Sequence, residues 1–249
     1  MQSWFRFAAT PFQTPKNMAI SMAGIKESME FVLKTRVRFA TSFDTDGFRR
    51  RLERSDDDFV FLFPSEYALA IKHGYLPIAQ LETPLKAFIV VPVASPIQTP
   101  GDLRNKLLMV PDFGSPVATL ARQAVEKAGL RWDRDVFGEP VRTDGVCLRE
   151  MIRGLADACA AFQAPTKIIQ RKMGIKLRSV VQSDALPPPL FAAHKRVPQD
   201  DREKIRKALT SLGNTDSGRF RLRTAGLNRI VPFQRDVYPT PPLSSDQHP

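Results

Sequence analysis

The chain has 249 residues, enough for one large domain or two small lobes. Hydrophobic residues make up 43% and charged residues 25%, as in folded globular proteins, and no apolar run approaches the length of a membrane-spanning helix. The net charge of +11 raises nucleic acid as a partner, but the basic residues are spread along the chain. Their small clusters, at Arg49–Arg51, Arg171–Lys172, His194–Arg196 and Arg219–Arg223, read as solvated helix faces, and no zinc-finger, RNA-recognition or basic-zipper pattern accompanies them.

In chain order, Phe5–Ala9 reads as a strand and Thr10–Lys16, with two prolines, as a loop. Asn17 caps a helix running to about Leu33, and Arg36–Thr41 is a second strand. Asp44–Asp46 begins a helix, and Phe59–Phe63 is a strand of the fully buried type. Pro64 and Ser65 open a helix over Glu66–His73, which Gly74 ends. This alternation of strand and helix predicts a parallel sheet with crossover helices.

Strand-like Ile78–Leu81 and Phe88–Val93 follow; Pro92 predicts a sheet edge or a bend for the second. Thr99–Leu103 is a short helical turn. The next stretch, LLMVPDFGSPVATLARQAVEKAG (Leu107–Gly129), is the most informative. Leu107–Val110 reads as a buried strand, and Gly114 permits a tight turn. Ser115 suits an N-cap and Pro116 the first helical position. Apolar residues from Val117 to Ala128 recur at helical spacing, and Gly129 closes the helix. Free N–H groups and the positive end of a helix dipole would then face the strand's C-terminal edge, where an anion can bind. Capped strand–helix turns are also common in any α/β domain.

Beyond this, a strand is expected around Val136, Asp144 caps a helix, and Ala156–Phe162 is a buried strand. A short helix starts at Gln163–Lys167, and Leu177–Gln182 is a strand. Proline-rich Ser183–Pro189 leads to a last strand, Leu190–His194. Helices over Asp200–Leu212 and Thr215–Ala225 end at Gly213 and Gly226. From Tyr238 the chain is rich in Pro and Ser, and residues 239–249 read as a disordered tail.

Cys147 lies in an expected helix and Cys159 in the following strand, and two buried free thiols are expected. His73, His194 and His248 are scattered, so neither a metal nor a cofactor is expected.

Four segments together resemble the phosphate/phosphonate-type substrate-binding proteins of ABC transporters, within the type 2 periplasmic-binding-protein superfamily. They are DDDFVFLFPSEYALAIKHGYLPIAQL (Asp56–Leu81), FIVVPVASPIQTPGDLRNKLLMVPDFGSP (Phe88–Pro116), IRGLADACAAF (Ile152–Phe162) and VPQDDREKIRKALTSLGNTDSGRFRLRTAGL (Val197–Leu227). Their order and spacing carry the likeness, which runs over roughly Arg6 to Phe233.

The resemblance implies an α/β fold of two lobes, each a mixed, mostly parallel sheet flanked by helices, with a ligand cleft and a hinge between them. Lobe 1 would hold residues 1–85 and 185–238, and lobe 2 residues 86–184. Ligands of such sheets bind at strand C-terminal ends beside helix N-termini. The expected ligand-binding residues are therefore Gly114, Ser115 and Val117, with Ser65 as the lobe 1 counterpart, and Asp144, Gln163, Thr10 and Phe63. Phe12, Phe43, Phe63, Phe113 and Phe162 are candidates for the cleft rim, although for each one separately core packing is the preferred reading.

The chain also departs from the family. Only Ser115 offers a hydroxyl where members have a Ser/Thr-rich turn, and Pro116 removes an N–H. Members often carry a histidine near Asp144, and a tyrosine expected after the third strand is replaced near Leu62–Phe63.

The implied function is capture of a small phosphonate- or phosphate-like anion for an ABC transporter permease, by a monomer without catalytic residues or nucleic-acid partner. Two other readings remain open: an enzyme of the same fold acting on a small carboxylate, for which no nucleophile–base pair is visible, and a ligand-sensing module. The resemblance implies a periplasmic location. MQSWFRFAATPF lacks the pattern of a secretory signal, which fits a cytoplasmic protein or a signal removed or missed at the gene start.

Overall fold

The computed structural model describes residues 4–238 apart from Gly114. The expected disordered tail, 239–249, and Gly114 lie outside the described residues. The chain divides into two compact units. Unit 1 comprises residues 1–11, 15–84 and 187–249, and unit 2 comprises 12–14 and 85–186.

Unit 1 contains β1 (Trp4–Ala9), α1 (Pro15–Leu33), β2 (Arg36–Thr41), α2 (Thr45–Glu53), β3 (Phe59–Leu62), α3 (Tyr67–Lys72) and β4 (Tyr75–Leu81). Unit 2 then supplies β5 (Ala87–Pro92), β6 (Lys106–Pro111), α4 (Pro116–Lys127), β7 (Val136–Val141), α5 (Asp144–Ile152), β8 (Ala158–Phe162), α6 (Gln163–Met173) and β9 (Leu177–Gln182). The chain returns to unit 1 with β10 (Leu190–His194), α7 (Gln199–Ser211), α8 (Asp216–Ala225) and β11 (Ile230–Pro232).

The unit 1 sheet has the order β11-β4-β10-β3-β1-β2. β1 runs parallel to β2 and β3, whereas β10 is antiparallel to both β3 and β4. The sheet is mixed, as the family resemblance implies, and not parallel throughout as the strand–helix alternation of the first half alone predicts, because β10, from the far end of the sequence, inserts between β3 and β4. All four residues of β3 are buried, as its continuous apolar run requires. Phe7, Phe61 and Phe191 from three adjacent strands meet on one face, with ring centroids 4.8–6.3 Å apart. On α1, Met18, Met22, Ile25, Met29 and Leu33 follow helical spacing and are all buried. Each such side chain contributes roughly 1.5–3 kcal/mol relative to exposure.

The unit 2 sheet has the order β7-β6-β8-β5-β9, with β6 parallel to β7 and β8, and β5 antiparallel to β8 and β9. Pro92 therefore does not mark an edge: β5 is interior, and Pro92 is its last residue, where one lost donor is tolerated. Pro77 in interior β4 sits where the pairing with β10 shifts register, the other position at which proline is accommodated.

Several helices are longer or start elsewhere than the sequence suggests. α1 begins at Pro15 rather than at Asn17, and α6 extends to Met173. Pro64–Glu66 forms a 3₁₀ turn before α3. Tyr238, read as the start of the tail, is buried and packs on Tyr67 and Phe233. Cys147 and Cys159 are not free thiols; they form a disulfide joining α5 to β8. Facing positions on a helix and the neighbouring strand bring their Cα atoms to 5.7 Å, within bonding range.

Candidate ligand-binding edges

In each unit the parallel strands end at the same edge, and the following helices begin there. In unit 1 this edge is formed by the ends of β1, β2 and β3. Thr10 is buried, and its N–H donates to the Phe61 carbonyl at 2.9 Å. At the centre lies Glu66, fully buried, a residue absent from the sequence expectation. Its Oε2 accepts from the Thr10 hydroxyl (3.3 Å) and the Phe63 N–H (3.1 Å), and its Oε1 accepts from the Ser65 hydroxyl (2.6 Å). Arg49 stands 4.0 Å away. Burial raises the Glu66 pKa, opposed by the Ser65 hydrogen bond and the Arg49 charge.

The structure thus gathers Thr10, Phe63 and Ser65 around one carboxyl, and both hydroxyls donate to it. The signal for Glu66 was in the sequence: Pro64 at the first helical position and a glutamate two residues on form one half of a capping box. At the end of β2, Asp44 caps α2 as expected, its Oδ1 accepting from Gly47 N at 2.7 Å.

In unit 2 three helices begin at the sheet's C-terminal edge. Ser115 caps α4, with Oγ accepting from the Ala118 N–H at 3.2 Å. Its own hydroxyl proton goes to the Pro111 carbonyl. The side chains of Pro116 and Val117 are buried in the unit's core, which leaves only the backbone of this turn to face a ligand. Gly129 ends the helical run with φ of 79°, a conformation that glycine adopts without strain.

Thr143, not Asp144, caps α5, accepting from the Val146 N–H at 3.3 Å. Asp144 is the first residue of α5 and is 6% exposed. Its Oδ1 accepts from the Phe162 N–H at 3.1 Å, and its own N–H also bonds the carboxyl. Burial pushes its pKa up to about 7, against these two hydrogen bonds. Phe162 ends β8, and the exposed Gln163 opens α6. The Thr166 hydroxyl returns to the Phe162 carbonyl at 2.9 Å.

The candidate residues thus lie at the two sheet edges, Thr10, Phe63 and Ser65 in unit 1 and Ser115, Val117, Asp144 and Gln163 in unit 2. Among the aromatic candidates, Phe43 and Phe113 are 71% and 51% exposed, whereas Phe63 is buried. Among the described residues no group of three or more His, Cys, Asp or Glu could hold a metal ion, and no helix is long and apolar enough to cross a membrane.

Two mixed sheets, each with helix N-termini gathered at the C-terminal edge of its parallel strands, define the type 2 periplasmic-binding-protein fold. Residues 7–238 match the family described as "ABC transporter, phosphonate, periplasmic substrate-binding protein", and the chain belongs to that family.

Solved structures agree on the fold. The binding-protein component of an ABC phosphonate transporter from Pseudomonas aeruginosa aligns with a TM-score of 0.80 at 11% identity, over 95% of this chain and 83% of that one. PhnD1 from Prochlorococcus marinus, in complex with methylphosphonate, aligns with a TM-score of 0.81 at 14% identity, over 95% and 94%. The periplasmic aliphatic sulphonate binding protein SsuA from Escherichia coli gives 0.65 at 15% identity, over 95% and 88%. No curated protein matches the sequence. The family consists of transporter substrate-binding proteins, so the chain is a solute-binding protein and not an enzyme, and the family implies a small-molecule ligand and a permease partner.

Proposed function

We propose that this protein captures a small oxyanion of the phosphonate class for an ABC transporter permease, acting as a periplasmic monomer. One observation carries the choice of ligand. α4, α5 and α6 all begin at the same edge of the unit 2 sheet, after three mutually parallel strands. Each helix start carries unpaired N–H groups and about half a positive charge, so three of them favour an anion without any salt bridge. Ser115, Val117, Asp144 and Gln163 are the residues proposed to meet the anion at this edge, and Ser65, Thr10 and Phe63 lie at the corresponding edge of the unit 1 sheet. The methylphosphonate and aliphatic sulphonate named for two structural relatives are both small oxyanions.

The Cys147–Cys159 bond supports the periplasmic reading, since disulfides persist in oxidising compartments. The test is a thermal-shift panel of phosphate, phosphite, alkylphosphonates, sulfonates and aromatic carboxylates. A ligand at about 100 times its dissociation constant stabilises by about 2.7 kcal/mol, so phosphorus oxyanions are expected to raise the melting temperature by several degrees. Stabilisation by aromatic carboxylates alone would overturn the ligand class.

A further inference from the structure

Asp144 is an anomaly at an edge suited to anions. It is an acid at the start of α5, more than nine-tenths buried, beside the Phe162 N–H that opens α6. Among the described residues no Lys, Arg or His lies within 4.0 Å of its carboxyl. The charged groups on the elements around it are Arg149 and Glu150 on α5, Asp112 after β6, Glu139 and Arg142 on and after β7, and Lys167 on α6; none forms an ion pair with it. A buried carboxylate without a counter-ion is costly, and a second negative charge brought alongside makes it more so.

Two of the neighbouring hydroxyl protons are already used: Ser115 donates to Pro111 and Thr166 to Phe162, so at the starts of α4 and α6 these side chains do not offer an O–H to an oxyanion, and the Thr143 cap of α5 is the hydroxyl beside Asp144.

We propose that Asp144 is the selectivity residue of this edge: it is protonated when an oxyanion is bound, donates its O–H to that anion, and so couples ligand capture to uptake of one proton from solvent. This rests on the reading of the edge as an anion site. Burial without a counter-ion already pushes the Asp144 pKa up to about 7, so the protonated acid is reached at small cost. Anion binding then favours the protonated acid. Affinity is full below the titration midpoint and falls by about tenfold per pH unit above it.

The test compares wild type with Asp144→Asn, using methylphosphonate as the probe in calorimetry between pH 5.5 and 8.5, in buffers of different ionisation enthalpy. Asparagine keeps an oxygen for the Phe162 N–H and an N–H donor for the ligand, but it cannot ionise. Methylphosphonate itself titrates, so the measure is the difference between the two proteins. Above neutrality wild type is expected to take up one proton more than the variant and its affinity to fall about tenfold per pH unit relative to the variant, whereas near pH 5.5 the two differ in neither respect.

Equal proton counts with parallel pH profiles would overturn the role of Asp144 while leaving the anion reading intact. Binding by neither protein at any pH would overturn the anion reading and this inference together. If Asp144→Asn does not fold, carbon-13 titration of the wild-type carboxyl decides: its midpoint must rise when methylphosphonate is added, and a fall overturns the proposal.

Discussion

Glu66 places a demand on the fold at a single residue. Its carboxyl is the acceptor for the Phe63 N–H and the Thr10 hydroxyl, both buried. Removing it in Glu66→Ala leaves those donors without that partner, a loss of about 1–3 kcal/mol in chemical denaturation. Glu66→Gln keeps one oxygen and loses the charge, and its effect depends on pH. Because burial raises the carboxyl's pKa, the folded state retains a proton that the unfolded chain has already released. Stability therefore falls as pH rises from the unfolded to the folded pKa, and is constant above. Glu66→Gln is expected to abolish that slope, visible as a flatter curve of unfolding free energy against pH; an unchanged slope would show that Glu66 does not titrate there.

Among the elements, the corner between α7 and α8 is the tightest. A Cβ at Gly218 would lie 1.9 Å from the Leu212 carbonyl oxygen, a backbone atom that cannot rotate away. Gly218→Ala must therefore shift α8 or the turn before it, at a cost of about 1–3 kcal/mol, read as a lower denaturation midpoint. Gly101→Ala, open to solvent, serves as the control.

The sequence could be read closely where local chemistry decides the element. Ser115 followed by Pro116 starts α4, Asp44 starts α2, and the run Phe59–Leu62 is a buried strand. It could not be read where distant segments decide. Nothing near Leu190–His194 says that β10 enters between β3 and β4 in the opposite direction. Nothing near Pro92 says that a neighbouring strand covers β5 on either side. At the candidate site the spacing located Thr10, Ser65 and Ser115 on their edges, but not where their hydroxyl protons go, because that depends on Glu66 and Pro111 across a turn.

For the molecule as a whole, the disulfide is the one covalent tie between distant positions among the described residues. It closes a loop of sequence separation 12, worth about 3 kcal/mol on a chain-entropy basis. The double variant Cys147→Ser/Cys159→Ser is expected to melt several degrees lower than wild type and, unlike wild type, to be indifferent to reductant. A reductant-insensitive wild type would mean that the pair is not oxidised in solution. The tie lies wholly within unit 2, joining α5, whose first residue is Asp144, to β8, whose end presents the Phe162 N–H.

Leu85 and Leu186 exchange two backbone hydrogen bonds, of 3.0 and 2.9 Å, at the points where the chain enters and leaves unit 2. Apart from the short stretch 12–14, that unit is therefore an insert whose ends already meet. Splicing Pro84 to Pro187 through a few glycines would leave every strand of the unit 1 sheet with its partners. Joining residues 85 and 186 would likewise make unit 2 a closed ring of sequence that can be opened in any exposed turn. The meeting of these two ends makes the junction the place to attempt circular permutation or exchange of the inserted unit, and a spliced unit 1 that gives a cooperative melt would show that it folds without the insert.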